Sequence, residues 1–315
     1  MTDLSDRMTA GQDPADPTSR GLTRRSLFQG AGGLAVAGAG LGAGLSGPAM
    51  AQEAQGAGLR GNINHSVARW TFGDMALADL CVLGTSVGLR AIDLCGPDDW
   101  PTLREHGMDS SMCNGAEISL EDGWADPANH ATLIENYTRH IALVAEAGYT
   151  NLICFSGNRR GMSDEEGLAN CAEGLAHILP LASEAGVVLQ MELLNSRVNH
   201  PDYLCDRSAW GVALCERLDS ENFKLLYDIY HMQIMEGDVI RTITEHNQWF
   251  GHYHTAGNPG RNEPDDSQEL NYPAICRAIR DTGYQGWLAQ EFVPRDPSPD
   301  AAAQSLRDAV LTCDV

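Results

Sequence analysis

Four apolar segments of this chain end in side chains that bind metal ions or move protons. Glu192 lies in "LQMELLN", Asp228 and His231 in "LLYDIYHMQ", His252 and His254 in "GHYHTAG", and Glu291 in "WLAQEFVP". Taken singly, each has an ordinary explanation. A Glu at a strand end is often solvated or paired with Arg, and a His among apolar residues is often hydrogen-bonded packing. Taken together they ask for another. Carboxylates gathered at one place raise one another's pKa unless a cation neutralises them, and burying them unpaired is too costly. Glu192, Asp228, His254 and Glu291 are therefore read as ligands of one divalent metal ion. Three carboxylates and one imidazole suit Mn2+ or Mg2+, with Co2+ or Zn2+ as further options. Zinc more often brings additional His or Cys. The ion would leave room for two adjacent substrate oxygens, a carbonyl and its neighbouring hydroxyl, and would stabilise the enediolate formed when the proton beside the carbonyl leaves. Glu192 and Glu291 would flank the substrate, one removing that proton and the other delivering it. Delivery to the next carbon is isomerisation; return to the same carbon from the opposite face is epimerisation.

Such residues meet only if their segments lie side by side. From residue 61 onward, short apolar runs of strand type alternate with longer helical patterns, with Gly at the joins. Strands are expected at 63–70, 89–95, 108–113, 150–156, 187–194, 223–230, 251–255 and 286–292. The clearest helices are "LIENYTRHIALVAEAG", "DEEGLANCAEGLAHILPLASEAG", "SAWGVALCERL", "VIRTITEHNQWF", "YPAICRAIRDTG" and the last stretch, 300–312. "EAG" closes two of them with a Gly C-cap before a strand. This rhythm predicts a single (β/α)8 TIM barrel over 61–315. The alternative, an open doubly wound sheet, usually carries a glycine-rich phosphate turn after its first strand. Here the first strand runs into "WTFGDM" instead. In a barrel the chemistry sits at the C-terminal ends of the strands, where Glu192, Asp228, His254 and Glu291 fall.

The first segment reads differently. "TRRSLF", an uncharged Gly/Ala-rich run and "PAMA" form a twin-arginine export signal over 1–51, with a linker over 52–60. The run is too short and glycine-rich for a membrane span. A periplasmic protein without stable membrane insertion is expected. The net charge is −22, and four Asp and four Arg within 1–51 cancel, so the acidity belongs to the rest of the chain. A surface this negative argues against nucleic acid and anionic lipid as partners. The nine cysteines form no CxxC pair and read as buried small hydrophobes.

"MELLNSRVNHPDY", "YDIYHMQIMEGDVIRTI", "GNPGRNEP", "ELNYPAI" and "GYQGWLAQEFVP" together resemble the hydroxypyruvate isomerase family, within the xylose-isomerase-like barrels that include the ketose 3-epimerases. The likeness covers about 150–294 and extends more weakly back to 61. It implies that Glu192 and Glu291 are the paired catalytic glutamates and that Asp228 binds metal. It further implies that His231 contacts a substrate oxygen and that Arg261 lies near substrate and metal. Three positions depart from the pattern. His254 stands where hydroxypyruvate isomerases have Gln and the ketose epimerases have His, which implies a four-ligand metal site. Gly257 replaces a frequent acid, and Leu193 replaces a usual Pro.

Further candidates come from the residues themselves. Asn195 and Asn258, in loops past the ligand strands, could bond substrate hydroxyls. His65, within the first strand, could line the pocket. Arg159, in "CFSGNRRG", could bind an acidic substrate group. Trp70 and Trp124 could wall the pocket or simply pack. His252 should share the face of His254 and lie deeper. His200 could approach from the loop after the fifth strand. "EDGWADPANH" reads as a lid. The expected activity is a metal-dependent isomerase or epimerase of a small hydroxy-keto acid or sugar, with a homo-oligomer as an option. The alternatives are a lyase or hydrolase-like enzyme on oxidised sugars and an inactive sugar-binding barrel.

Overall fold

The computed structural model describes residues 58–315. The export-signal reading over 1–51 lies outside the described residues. Eight parallel strands close into a barrel in simple sequence order, β1 pairing β2 and so on until β8 pairs β1. They are β1 Asn64–Ala68, β2 Ala91–Cys95, β3 Asp109–Cys113, β4 Asn151–Cys154, β5 Val188–Glu192, β6 Phe223–Asp228, β7 Phe250–Thr255 and β8 Trp287–Gln290. Around them run α1 Leu77–Val87, α2 Trp100–Glu105, α3 His130–Ala147, α4 Asp164–Ala176, α5 Leu179–Ala185, α6 Ser208–Leu218, α7 Ile229–Met235, α8 Val239–His246, α9 Tyr272–Asp281 and α10 Pro299–Cys313. The barrel expected from the alternation is the barrel observed. Both faces of its strands are covered, so Leu189, Met191, Leu225, Leu226, Tyr227 and Tyr253 are all buried.

Local chemistry explains where elements stop. Gly148 (φ 84°) and Gly186 (φ 68°) end α3 and α5 in the left-handed region, the C-caps expected of the two "EAG" motifs. The long helix expected over 164–185 is two, α4 and α5. Pro180 lacks the N–H a helix interior needs and sits instead in the first turn of α5. The sixth strand ends at Asp228 rather than 230. The Asp228 side chain accepts the His231 N–H (2.9 Å) and caps α7, which therefore starts at Ile229.

The segment 121–130 is not a free lid. Trp124 is buried, its backbone N–H donates to Phe155 O (3.1 Å), and the Ala125 backbone N–H donates to Ser156 O (2.7 Å). These bonds fasten the loop after β3 to the end of β4. All nine cysteines are buried and unpaired.

Candidate active site

The register of the strands brings the ligand-competent residues to one rim. Asp228 and His254 are paired neighbours on β6 and β7, Glu192 ends β5, and Glu291 follows β8, its N–H donating to Thr255 O (2.9 Å). One donor atom from each of Glu192, Asp228, His254 and Glu291 lies within 4.8 Å of the others, and all four residues are buried. His254 Nδ1 is 3.0 Å from Glu291 Oε2, 3.1 Å from Glu192 Oε1 and 3.9 Å from Asp228 Oδ2. Neighbouring ligands of an octahedral ion at its usual bond lengths are about 3 Å apart. The donor set and its spacing therefore fit a divalent cation.

The charges are arranged asymmetrically. Burial raises the Asp228 carboxyl well above the usual range, and the Glu291 charge adds to it. Burial raises Glu192 as well, against a hydrogen bond from His254. At Glu291 burial acts in the same direction, but the charges of His254 and Arg261 outweigh it and hold that carboxyl well below its ordinary value. Burial would lower His254; the Glu291 charge and hydrogen bonds to Asp93, Glu192 and Glu291 lift it well above the usual range instead.

Arg261, from the loop after β7, places Nη2 2.6 Å from Glu291 Oε2 and 3.8 Å from Asp228 Oδ2. Its guanidinium packs over the rings of Trp70 (5.0 Å) and Tyr230 (5.4 Å). Trp70 also donates its indole N–H to Glu291 Oε1 (2.8 Å). Glu291 is thus gripped at both oxygens.

His231 is oriented by Asn195. The Asn195 Oδ1 accepts the N–H groups of Val198 (3.0 Å) and Asn199 (2.9 Å), so its amide NH2 faces the imidazole. The Asn195 backbone N–H also points at His231 Nδ1 (3.2 Å). Nδ1 is therefore an acceptor and Nε2 carries the proton. Burial, reinforced by the Arg261 charge, holds this imidazole well below its ordinary pKa. Nε2 has no protein hydrogen-bond partner and lies 3.7 Å from Asp228 Oδ2. It is a neutral donor facing the carboxylates. The His200 ring packs against that of His231 at a tilt of 57°, with centroids 5.2 Å apart.

Other sequence candidates lie elsewhere. His65 is buried with its Nε2 3.8 Å from Asp314 Oδ1, against the end of α10, because that strand position faces the outer helix layer. Arg159 pairs with Asp164 and does not join the cluster. Asn258 donates to Glu269. Trp124 packs against Tyr137. Asp93 on β2 was missed by the sequence reading. It is fully buried, with Oδ2 2.9 Å from His254 Nε2 and Oδ1 3.0 Å from His252 Nε2. Its signal was an acid inside the otherwise apolar run "AIDLC".

This fold and site define a metal-competent barrel of a known kind. The xylose isomerase-like TIM barrel family model matches residues 102–311, and the chain belongs to that family. The 2-oxo-tetronate isomerase of Cupriavidus necator is 38% identical over 127 residues, 40% of this chain and 48% of that one. The chain thus spans about half the length of that curated relative. The hydroxypyruvate isomerase of Escherichia coli is 30% identical over 219 residues, 66% of this chain and 84% of that one. Among solved structures, a family 2 AP endonuclease from Brucella melitensis has a TM-score of 0.69 at 24% identity, covering 77% of this chain and 97% of that chain. That likeness concerns the fold alone.

Proposed function

We propose that this protein is an isomerase or epimerase of a small hydroxy-keto acid or sugar, dependent on one divalent metal ion, with Mn2+ or Mg2+ preferred. The observation that carries the reading is the convergence of Glu192, Asp228, His254 and Glu291 within 4.8 Å at the barrel rim. The names of the matched relatives support it. Glu192, Asp228, His254 and Glu291 would hold the ion. When bound, the ion would draw electron density from a substrate carbonyl and its neighbouring hydroxyl.

The chain's own residues supply the rest. Glu192 and Glu291 approach the cluster from β5 and β8, so substrate lying between them meets a carboxylate on either side. One takes the proton from the carbon beside the carbonyl, and the other supplies a proton. His231 Nε2–H donates to a substrate oxygen. Arg261, fixed between two rings, and the Trp70 N–H keep Glu291 ionised and aimed. The destination of the proton separates isomerisation from epimerisation. The acidic chain, with net charge −22, supports a small-molecule substrate over DNA despite the fold likeness to an endonuclease. The N-terminal motif supports export to the periplasm.

The test is proton NMR of the Mg2+-loaded protein in D2O with hydroxypyruvate, tartronate semialdehyde, ketopentoses, ketohexoses and 3-keto sugars. Metal-dependent loss of a proton beside the carbonyl is expected for at least one, and the accumulating product names the reaction. Glu291→Gln should fold normally and lose roughly 100-fold or more in turnover. Near-normal activity of that variant would sink the two-glutamate mechanism.

A further inference from the structure

The two nitrogens of His254 face different surroundings. Nδ1 faces Glu192 and Glu291, at 3.1 and 3.0 Å. Nε2 faces Asp93 Oδ2 at 2.9 Å. An imidazole offers a lone pair on one side only if its proton sits on the other. The partner of Nε2 therefore decides whether Nδ1 is available to an ion.

We propose that Asp93 is the positioning residue that makes His254 a metal ligand: its Oδ2 holds the proton on Nε2 and so turns the Nδ1 lone pair toward the carboxylate cluster. This rests on the metal-dependent reading of that cluster. The Asp93 carboxylate is itself fixed. Ser111 Oγ donates to Oδ1 (2.6 Å), the Ser66 hydroxyl lies 2.9 Å from that of Ser111, and His252 Nε2 lies 3.0 Å from the same Oδ1. Ser66, Asp93, Ser111, His252 and His254 are all buried, so water does not compete for these groups. The backbone is shaped for the purpose. The pairing of β2 with β3 shifts register on both sides of Asp93, and Leu94 takes φ 57°. A bulge of this sort re-aims a side chain, and a left-handed Leu is a strain kept where the surroundings require it. Asp93 thus joins β2 and β3 to two alternate residues of β7. A carboxylate behind a ligating imidazole raises its basicity and fixes its orientation, and losing one typically weakens metal binding 10–100-fold.

The test is a Mn2+ titration of the full chain, by calorimetry and by the free-Mn2+ EPR signal, for wild type, Asp93→Asn and His252→Gln. Each is paired with thermal unfolding before metal is added. Wild type should bind one Mn2+. Asp93→Asn should unfold within a few degrees of wild type and bind Mn2+ about 10–100-fold more weakly. His252→Gln, which removes the imidazole lying 3.0 Å from Oδ1, should weaken binding less. If Asp93→Asn does not fold, His252→Gln carries the test. Unchanged Mn2+ affinity in the variant that folds overturns the proposal while leaving the metal site standing. Two ions in wild type with one lost in Asp93→Asn would make Asp93 a ligand, and also overturns it. No binding by wild type overturns both this proposal and the metal-dependent reading.

Discussion

Glu291 is held by three neighbours that do different things. Arg261 supplies charge at Oε2, His254 Nδ1 approaches the same oxygen, and Trp70 donates to Oε1 at 2.8 Å. Trp70→Phe separates these effects, because the ring under Arg261 stays while the N–H goes. A hydrogen bond to a charged group contributes about 1.5–3 kcal/mol. The variant should therefore lose roughly 10- to 100-fold in kcat/KM, with little change in thermal stability. Unchanged steady-state kinetics would mean that the indole N–H has no part in aiming Glu291. At this scale, legibility in the sequence followed chemical contrast. Glu192, Asp228, His254 and Glu291 stand out because each interrupts an apolar strand near its end. Asp93 interrupts one too, but in mid-strand, where a lone acid carries no indication of its partner. His65 has similar contrast and faces the other side of its strand; the spacing within one strand does not reveal which of its two faces is inside. Arg159 looked like an anion site because the sequence does not show that Asp164 answers it.

Elements hold these side chains through contacts between loops as much as between strands. The loop after β3 lies directly on the end of β4, and Gly123 is what permits it. A Cβ there would sit 2.3 Å from Gly157 N and from Phe155 O. Both are backbone atoms, so relief requires moving a strand end and not a rotamer. Gly123→Ala should cost about 3 kcal/mol, a fall in Tm of roughly 6–12 °C for a domain of this size. Differential scanning calorimetry checks it, and an unaltered Tm would show that the two loops separate easily. The strand–helix alternation made the barrel readable from the sequence, since the period of the apolar pattern changes at each join. The contact between the two loops was not readable. It depends on two glycines thirty-four positions apart in the chain, and the sequence shows only a long loop at 121–130, which reads as a lid.

Across the molecule, the two ends of the barrel domain are fastened to each other. Arg60 N–H donates to Asp314 Oδ2 (2.8 Å), Asn62 Nδ2 donates to Val315 O (2.8 Å), and His65 is buried beside Asp314. That closure carries a pH dependence. Burial, only partly offset by Asp314, lowers the His65 pKa from 6.5 to about 4. Above pH 6.5 the imidazole is neutral both folded and unfolded, and it contributes no pH-dependent term. As pH falls from 6.5 toward 4, the unfolded chain takes up the proton and the folded chain does not, so stability falls. Below about 4 both forms are protonated and the loss levels off. The full difference amounts to about 3 kcal/mol. His65→Gln removes this titration while keeping a polar side chain of similar reach. Urea unfolding of wild type and variant at pH 7.5 and pH 4.5 isolates the effect from that of the many carboxylates, which both proteins share. Wild type should lose more stability than the variant on acidification, by up to about 3 kcal/mol. Equal losses would mean that His65 takes up its proton in the folded protein as readily as in the unfolded chain, with Asp314 compensating fully for burial.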